Sequence, residues 1–574
     1  MKKILLISLV CILVAAGFIY KTILDVSVNY HDGVWNGTGY GNNGKIEVAI
    51  VVKDNKIISG SILREKESDF AKPAAAIILN YAINHGNLDE YDAVTGATVT
   101  SKGTAQAIYD ALEKAAGKKE EKVTYSDTTC DITIIGAGGA GLSASIEAAQ
   151  KGYRVILLEK MDIVGGNTLK ATGGLNAAET SIQRSLGISD TKEQFYQDTM
   201  RGGKSLNDPQ LVKTMTEYAP ETVEWLVALG VDLFEVDKLA GSTNKRSHRP
   251  LDGSAIGPNL VNALYNAALG VNVDIRKSSE VTDLLFSGDK IQGVKVKFAN
   301  TVYTINSKAV IIATGGFGSN AALIEKYRPE LKGVISSNHE GATGDAVSWI
   351  EKIGGSLVQM DQIQTHPTVA VKNNTMLTEA IRANGAILVN TEGKRFYSET
   401  TTHDVLSDAI RNQPEGKAFL VFDDKIRKTM KFIDYYEQQG ILKKQYNLED
   451  LCWDMGVPYE TLSTTLTGYN SAVRTRTDIY FGRKPNEMPY EIKEPPFYAV
   501  EVTPGIHHTM GGIKITPKTE VMNINNQTVQ GLFAAGEVTG GVHGANRLGG
   551  NGMTDICVFG RISAQSAIEY ITSH

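Results

Sequence analysis

A chain of 574 residues is too long for one hydrophobic core and predicts two to four domains. A formal net charge of −6, with 21% charged residues and no basic tract, leaves no electrostatic case for a nucleic-acid partner. The four cysteines (Cys11, Cys130, Cys452, Cys557) lie far apart, so neither a C-x-x-C metal pair, nor a haem attachment site, nor a disulfide framework is expected.

Residues 1–28 open with Lys2 and Lys3 and continue as an apolar run over 4–20, the pattern of an export signal. Val14-Ala15-Ala16 offers a cleavage site, yet the run is only slightly shorter than the roughly 18–20 residues that span a bilayer, so cleaved signal and retained anchor both stay open. Either places the protein outside the cytoplasm, membrane-associated or secreted. Cys11 lacks a small residue before it and reads as part of the apolar run rather than as a lipidation site.

A small α+β domain is expected over 30–117. Glycine turns surround a β-rich stretch from Gly33 to Gly60, with Asp54-Asn55 as a hairpin turn, followed by an alanine-rich helix over 71–84 and a last helix to about Ala116. Between the helices lies Asp92-Ala93-Val94-Thr95-Gly96-Ala97-Thr98, which on its residues alone is a helix entry capped by Thr98 or Thr100. The charged run 117–122 falls in a linker, 118–128.

From 131 to 160 the order is apolar strand, Gly136, Gly138 and Gly141 in G-x-G-x-x-G spacing, helix, second strand, then Glu159. Gly136 permits the tight turn, Gly138 lets backbone N–H groups approach a pyrophosphate, Gly141 allows close helix packing, and Glu159 takes ribose hydroxyls. All the parts agree on a Rossmann-like dinucleotide domain. Further glycine-rich loops suit backbone approach to a flavin ring or phosphate: 164–178 with Asn167, Thr168, Gly173 and Gly174; 311–318 with Thr314 and Gly315; 338–347 with Asp345; and 532–540 with Glu537.

These motifs carry two resemblances. Residues 32–116 resemble the small flavin-binding domain of extracytoplasmic electron-transfer proteins, whose D-x-x-[ST]-G-A-T motif takes FMN through a phosphoester bond. By position the acceptor is Thr98, and a flavin transferase is implied as maturation partner. A covalent tether prevents loss of an exported cofactor by dilution. The glycine loops, with His366-Pro367-Thr368, the stretches 378–390, 507–512 and 544–551, resemble the fumarate reductase and succinate dehydrogenase flavoproteins over nearly everything after Cys130. Within that family the chain looks most like the single-chain fumarate and urocanate reductases. The resemblance implies an FAD-binding domain over 129–361 and 487–574 with an α+β capping domain inserted at 362–486. Members that bind FAD covalently have a histidine where this chain has Asn167, before Thr168, so FAD is expected to be non-covalent.

Reduction of an activated C=C bond needs a hydride, carboxylate clamps and a proton donor. By motif position His507 and Arg547 match the family's clamp for one carboxylate, and His366, Thr378 and Glu379 the pocket for the other. Glu379 and Arg382 match its proton relay. Without the family, His366 before Pro367 is a loop histidine and Arg547 a helix-end cap. One departure stands out: the family's proton-donating arginine is replaced in Thr401-Thr402-His403-Asp404 by His403. A protonated imidazole is chemically competent to donate, and three readings stay open: direct donation by His403, a relay through Glu379 and Arg382, or altered specificity. The expected activity is electron flow from FMN to FAD and on to an α,β-unsaturated carboxylic acid, a fumarate-like dicarboxylate first, supplied by a membrane quinol or flavin-based donor. Urocanate, acrylate or aryl-acrylate acids, an enone, or a two-flavin electron carrier without turnover are the alternatives.

Overall fold

The computed structural model of the protein describes residues 29–574 apart from 42–43, 66, 68–71, 89–90, 95–96, 119–122, 240 and 431, so the expected export segment and Cys11 lie outside the described residues. No helix among the described residues is long and apolar enough to cross a membrane. The chain divides into two units, Met1–Val123 and Thr124–His574.

In the first unit three antiparallel strands, Gly33–Gly41, Gly44–Lys53 and Lys56–Arg64, form a meander beside the helices Lys72–His85 and Thr98–Ala115. Asp54 and Asn55 both have positive φ (49° and 62°), which matches the two-residue hairpin turn to the twist of its strands. Ile46, Val48, Ile50 and Val52 alternate inward along the central strand and form the core with Ile78 and Ile108. Gly37 and Gly39 were expected in turns but lie within the first strand. A Cβ at either would sit 1.9 Å from a carbonyl oxygen of the second helix, that of Ala107 or Gly103. Their lack of a side chain lets strand and helix backbones touch. The helix entry also differs from the expected cap: the Ser101 hydroxyl accepts from Val94 N at 3.1 Å and donates to Ala97 O at 2.9 Å, while Thr100 donates to the buried Glu67 carboxylate. Thr98 is the first residue of that helix, and its side chain is outside the described set.

The second unit is built on an eight-stranded sheet. Thr128–Ile135 lies at its centre, parallel to Val155–Leu158 on one side and to the end of Thr301–Ile312 on the other, with Thr528–Ala534 parallel beyond that. Strand order reverses direction at Thr128–Ile135, and ligands of open α/β sheets bind at the carboxyl ends of strands at such a point. Ile132, Ile134, Val310, Ile311 and Leu532 are buried, as a strand covered on both faces requires. Helices Gly139–Gln150 and Asn551–Ser573 pack together on the sheet.

A second sheet orders Ile363–Ala370, Phe497–Thr509, Ala418–Asp423 and Ile387–Val389, with its own core including Leu388, Leu420, Phe422 and Val500. It overlaps the segment 362–486 that was expected to form the cap. It reaches past the expected boundary at 486, because Phe497–Thr509 pairs with Ile363–Ala370 and Ala418–Asp423 rather than with the nucleotide sheet.

Candidate active site

A cleft opens at the carboxyl end of Thr128–Ile135. Of the expected flavin-binding residues, Gly136, Gly138, Glu159, Asn167, Thr168, Thr314, Gly315, Asp345 and Glu537 line it. Gly141 lies just behind, where a Cβ would fall 1.8 Å from Gly136 O, so helix and turn can meet only at glycine. Gly138 differs: the nearest atom to a Cβ there is 3.7 Å away, and its open face belongs to the cleft. Gly173 and Gly174 are not among the lining residues; Gly174 packs against Ser247 and His248.

Glu159 accepts from Ala137 N and Met161 N at 2.9 Å each, while burial pushes its pKa up against those bonds. Two of its lone-pair sites are thus used, leaving capacity for ribose hydroxyls. The Thr314 hydroxyl is buried without a partner among the described residues, as a donor reserved for a bound group would be. Asp345 pairs with Lys160 at 2.7 Å at the start of the helix Asp345–Lys352. Asn167 ties three loops together, donating to Asn338 Oδ1 (2.6 Å) and Glu537 Oε2 (3.2 Å) and accepting from His339 N (2.7 Å). Glycine cradle, unpartnered hydroxyl and acid at the strand end fit FAD.

The histidines come from the cap sheet. Ile363–Ala370 pairs antiparallel with Phe497–Thr509 so that Gln364 faces His508 and Thr365 faces Ile506, which leaves His507 as the extra residue of a β-bulge. A bulge re-aims consecutive side chains. His507 shares a hydrogen bond with Ser337 Oγ at 3.1 Å and its ring centroid lies 5.3 Å from that of His366; His508 lies 3.6 Å from the cleft residue Glu537. Burial, with nearby cationic charge, holds His366, His507 and His508 well below the ordinary histidine range, so all three are neutral at pH 7. Thr368 N donates to His366 Nδ1 at 3.3 Å, which places the proton of the neutral ring on Nε2 as a donor.

Arg547 reaches in from the loop before Asn551–Ser573. Its Nη1 donates to Leu548 O at 3.2 Å and its Nη2 to Gln364 Oε1 at 3.3 Å; its buried Nε has no partner among the described residues. Burial lowers its pKa, but a guanidinium remains charged at neutral pH. Gln364 also donates to Arg547 O and Asn546 Oδ1, so it fixes both backbone and fork.

Opposite stands the helix Glu379–Ala383, N-capped by Thr378, whose hydroxyl accepts from Ala380 N at 3.4 Å. His403 is the first residue of another cap helix, His403–Arg411, and its Nε2 donates to Glu379 Oε2 at 2.7 Å. The His366 and His403 ring centroids are 4.7 Å apart. Burial alone would raise the pKa of Glu379, but the His403 hydrogen bond and the charges of His403, Arg382 and Arg547 hold it at about 2. Arg382 is buried, donates to Glu399 O at 2.6 Å and is lowered to about 10, chiefly by burial. His366, Thr378, Glu379, Arg382, His403, His507 and Arg547 therefore converge, although they are spread over 182 positions of sequence from 366 to 547. Gln364 was missed; an amide two residues before a histidine carries no sequence signal. The buried pair His543–Asp555, at 3.1 Å and ring-to-ring with His508, was also missed, although both residues flank the recognised 544–551 stretch.

The dinucleotide cleft, whose wall residue Glu537 lies 3.6 Å from His508 of the histidine cluster, is that of a flavin-dependent oxidoreductase acting on C=C bonds. Residues 131–553 match the FAD binding domain family and residues 39–113 the FMN-binding domain family, and the protein carries both flavins. The chain belongs to the FAD-binding family of the fumarate reductase flavoproteins. It is 44% identical over 464 residues to a fumarate reductase (cytochrome) of Shewanella frigidimarina, covering 80% of this chain and 81% of that protein. It is 32% identical to a urocanate reductase of Eggerthella lenta over 93% of this chain and 92% of that one. An NADH:fumarate oxidoreductase of Klebsiella pneumoniae is 41% identical over 84% of this chain, which spans about half (52%) of that longer protein. Among solved structures, the open conformation of a flavocytochrome c3 fumarate reductase superposes with a TM-score of 0.71 at 40% identity, covering 78% of this chain and 79% of that one.

Proposed function

We propose that the protein reduces the C=C bond of a small α,β-unsaturated carboxylic acid, a fumarate-like dicarboxylate first, with electrons entering through FMN esterified to Thr98. The observation that carries this reading is the closeness of the groups: the neutral ring of His366 lies 4.7 Å from that of His403 and 5.3 Å from that of His507, His403 bonds Glu379 at 2.7 Å, and the charge of Arg547 acts on both His507 and Glu379. When bound, FAD supplies the hydride. Arg547 neutralises a carboxylate through charge-assisted hydrogen bonds, and His507 and His366 Nε2 add donors that carry no charge of their own. Thr378 offers its hydroxyl proton to the second carboxylate. His403 then delivers the proton to the substrate carbon, and Glu379, held anionic, orients the imidazole. Arg382 stands behind Glu379 for reprotonation.

A specific observation favours a second reading. An arginine in place of His403 would offer five donors, whereas the imidazole commits one of its two nitrogens to Glu379, so the site has fewer donors for a second carboxylate. A urocanate- or acrylate-type acid suits that arrangement. An exported location, a flavin transferase for maturation and a membrane quinol or flavin-based donor complete the proposal. Anaerobic oxidation of reduced methyl viologen by the flavin-loaded protein, run against fumarate, urocanate, acrylate and cinnamate, tests it. Turnover with at least one acid is expected, and none with any would reject it. In His403→Ala, turnover on that acid should fall roughly 10²- to 10⁴-fold.

A further inference from the structure

The helix Glu379–Ala383 carries both groups behind His403 and is only five residues long. One helical turn has almost no stability of its own, since nucleation costs more than a single turn of hydrogen bonds returns. Something outside must fix its direction. On its N-terminal side the buried phenol of Tyr436, from the helix Phe432–Gln438, accepts from Thr378 N at 2.8 Å and donates to Met376 O at 3.2 Å. That clips the two residues flanking Leu377, whose own backbone is tied to Thr368 from both directions: Leu377 N donates to Thr368 O at 2.8 Å and Thr368 Oγ1 to Leu377 O at 3.0 Å. At the other end the buried guanidinium of Arg483 donates to Arg382 O and, at 3.0 Å, to Ala386 O. Arg382 O belongs to the helix and also accepts from Gly385 N at 3.0 Å, while Ala386 O lies three residues past its end, so Arg483 holds the helix end and the chain leaving it together. The same Nη1 reaches Glu399 at 3.2 Å, and Arg395 pairs with that carboxylate through two bonds of 2.7 Å.

We infer that Tyr436 and Arg483 are positioning residues for proton delivery, splinting the Glu379–Ala383 turn at its two ends so that Glu379 meets His403. The bonds given for them end on Thr378, Met376, Arg382, Ala386 and Glu399. Tyr436→Phe removes one oxygen and leaves Thr378 N and Met376 O without their partner, freeing the turn to rotate while the core keeps its shape. The inference rests on the proton-relay reading given above.

The test compares wild type, Tyr436→Phe and Arg483→Lys as flavin-loaded full chains. The expected result for Tyr436→Phe is a fall in kcat of about tenfold or more, as misplacement of a catalytic group gives, with KM changed far less and FAD content and Tm close to wild type. The acid limb of kcat should also move to higher pH, because Glu379 loosened from His403 loses the contact that holds its pKa at about 2. Arg483→Lys keeps the charge and loses the fork, and should move kcat and the acid limb the same way; if it does not fold, Tyr436→Phe decides alone. An unchanged kcat and acid limb in Tyr436→Phe would overturn the inference, as would a loss of activity accounted for entirely by lost FAD. If wild type turns over none of the acids, the functional reading has failed. The splint is then judged by hydrogen exchange over 376–386, where faster exchange in Tyr436→Phe supports it and unchanged exchange rejects it.

Discussion

Arg547→Ala is the substitution whose consequence the geometry fixes most closely. Leu548 O at 3.2 Å and Gln364 Oε1 at 3.3 Å occupy the two terminal nitrogens, so the fork is set before any ligand arrives, and the buried Nε has no partner among the described residues. Its two bonds to protein end on Leu548 and Gln364, neither of which lines the flavin cleft, so FAD should stay bound. Truncation removes a pre-oriented, partly buried cation from a carboxylate, a loss of roughly 2 to 5 kcal/mol. At about 1.4 kcal/mol per decade this is on the order of 30- to 5,000-fold in kcat/KM. Arg547→Lys should recover little, because an ammonium cannot satisfy Leu548 and Gln364 and also present a fork. The assay is anaerobic oxidation of reduced methyl viologen, with FAD content read from the visible spectrum. A kcat/KM near the wild-type value in a fully FAD-loaded Arg547→Ala protein would refute the clamp assignment.

Three further outcomes are expected. Glu379 is held at about 2 from an ordinary 4.5, so its pairing stabilises the fold fully above about pH 4.5 and the contribution is lost as pH falls towards 2. The side chain is 21% exposed, and the contribution is on the order of 3 kcal/mol at neutral pH; Glu379→Gln should be less stable than wild type in urea at neutral pH, and an undiminished gap at about pH 3 would contradict the assignment. Gly141→Ala should fail to fold or lose most of its stability, whereas Gly138→Ala should fold normally and lose FAD affinity, because one Cβ meets Gly136 O at 1.8 Å and the other meets only the open cleft; ultrafiltration and melting curves separate the two. Thr98→Ala, co-expressed with a flavin transferase, should lose the flavin fluorescence that survives denaturing electrophoresis while FAD remains, and retained fluorescence would move the tether elsewhere.

The parts legible in the sequence were those where one local pattern encodes one local structure. The strand, glycine turn and helix of 131–160 read correctly because Gly136, Gly138 and Gly141 act within a few residues of each other. Asp54-Asn55 read correctly because a two-residue turn needs positive φ at both positions. Gly37 and Gly39 misled because the helix that requires them lies at 98–115, and nothing in a strand announces what will press on it. The cap boundary ran past 486 for a related reason: Phe497–Thr509 has the apolar character of a strand in either sheet, and only pairing with Ile363–Ala370 decides which. His507 and His508 were visible as residues, but the bulge that turns them apart depends on a register set by the partner strand. Tyr436, Gln364 and Arg483 were not legible at all, because each acts on backbone far away in sequence.

The central claim is that electrons stored on FAD leave to a carbon–carbon double bond held between Arg547 and His403. Its most direct test is a single anaerobic turnover: the flavin-loaded protein is reduced with dithionite, freed of excess reductant, and mixed with each unsaturated acid while the FAD band is followed. The expected result is return of the oxidised flavin spectrum with one acid, formation of one saturated product for each two-electron-reduced flavin oxidised, up to two per protein, and loss of that reoxidation in both Arg547→Ala and His403→Ala. A flavin that stays reduced with every acid, or that reoxidises equally fast in both variants, would contradict the account.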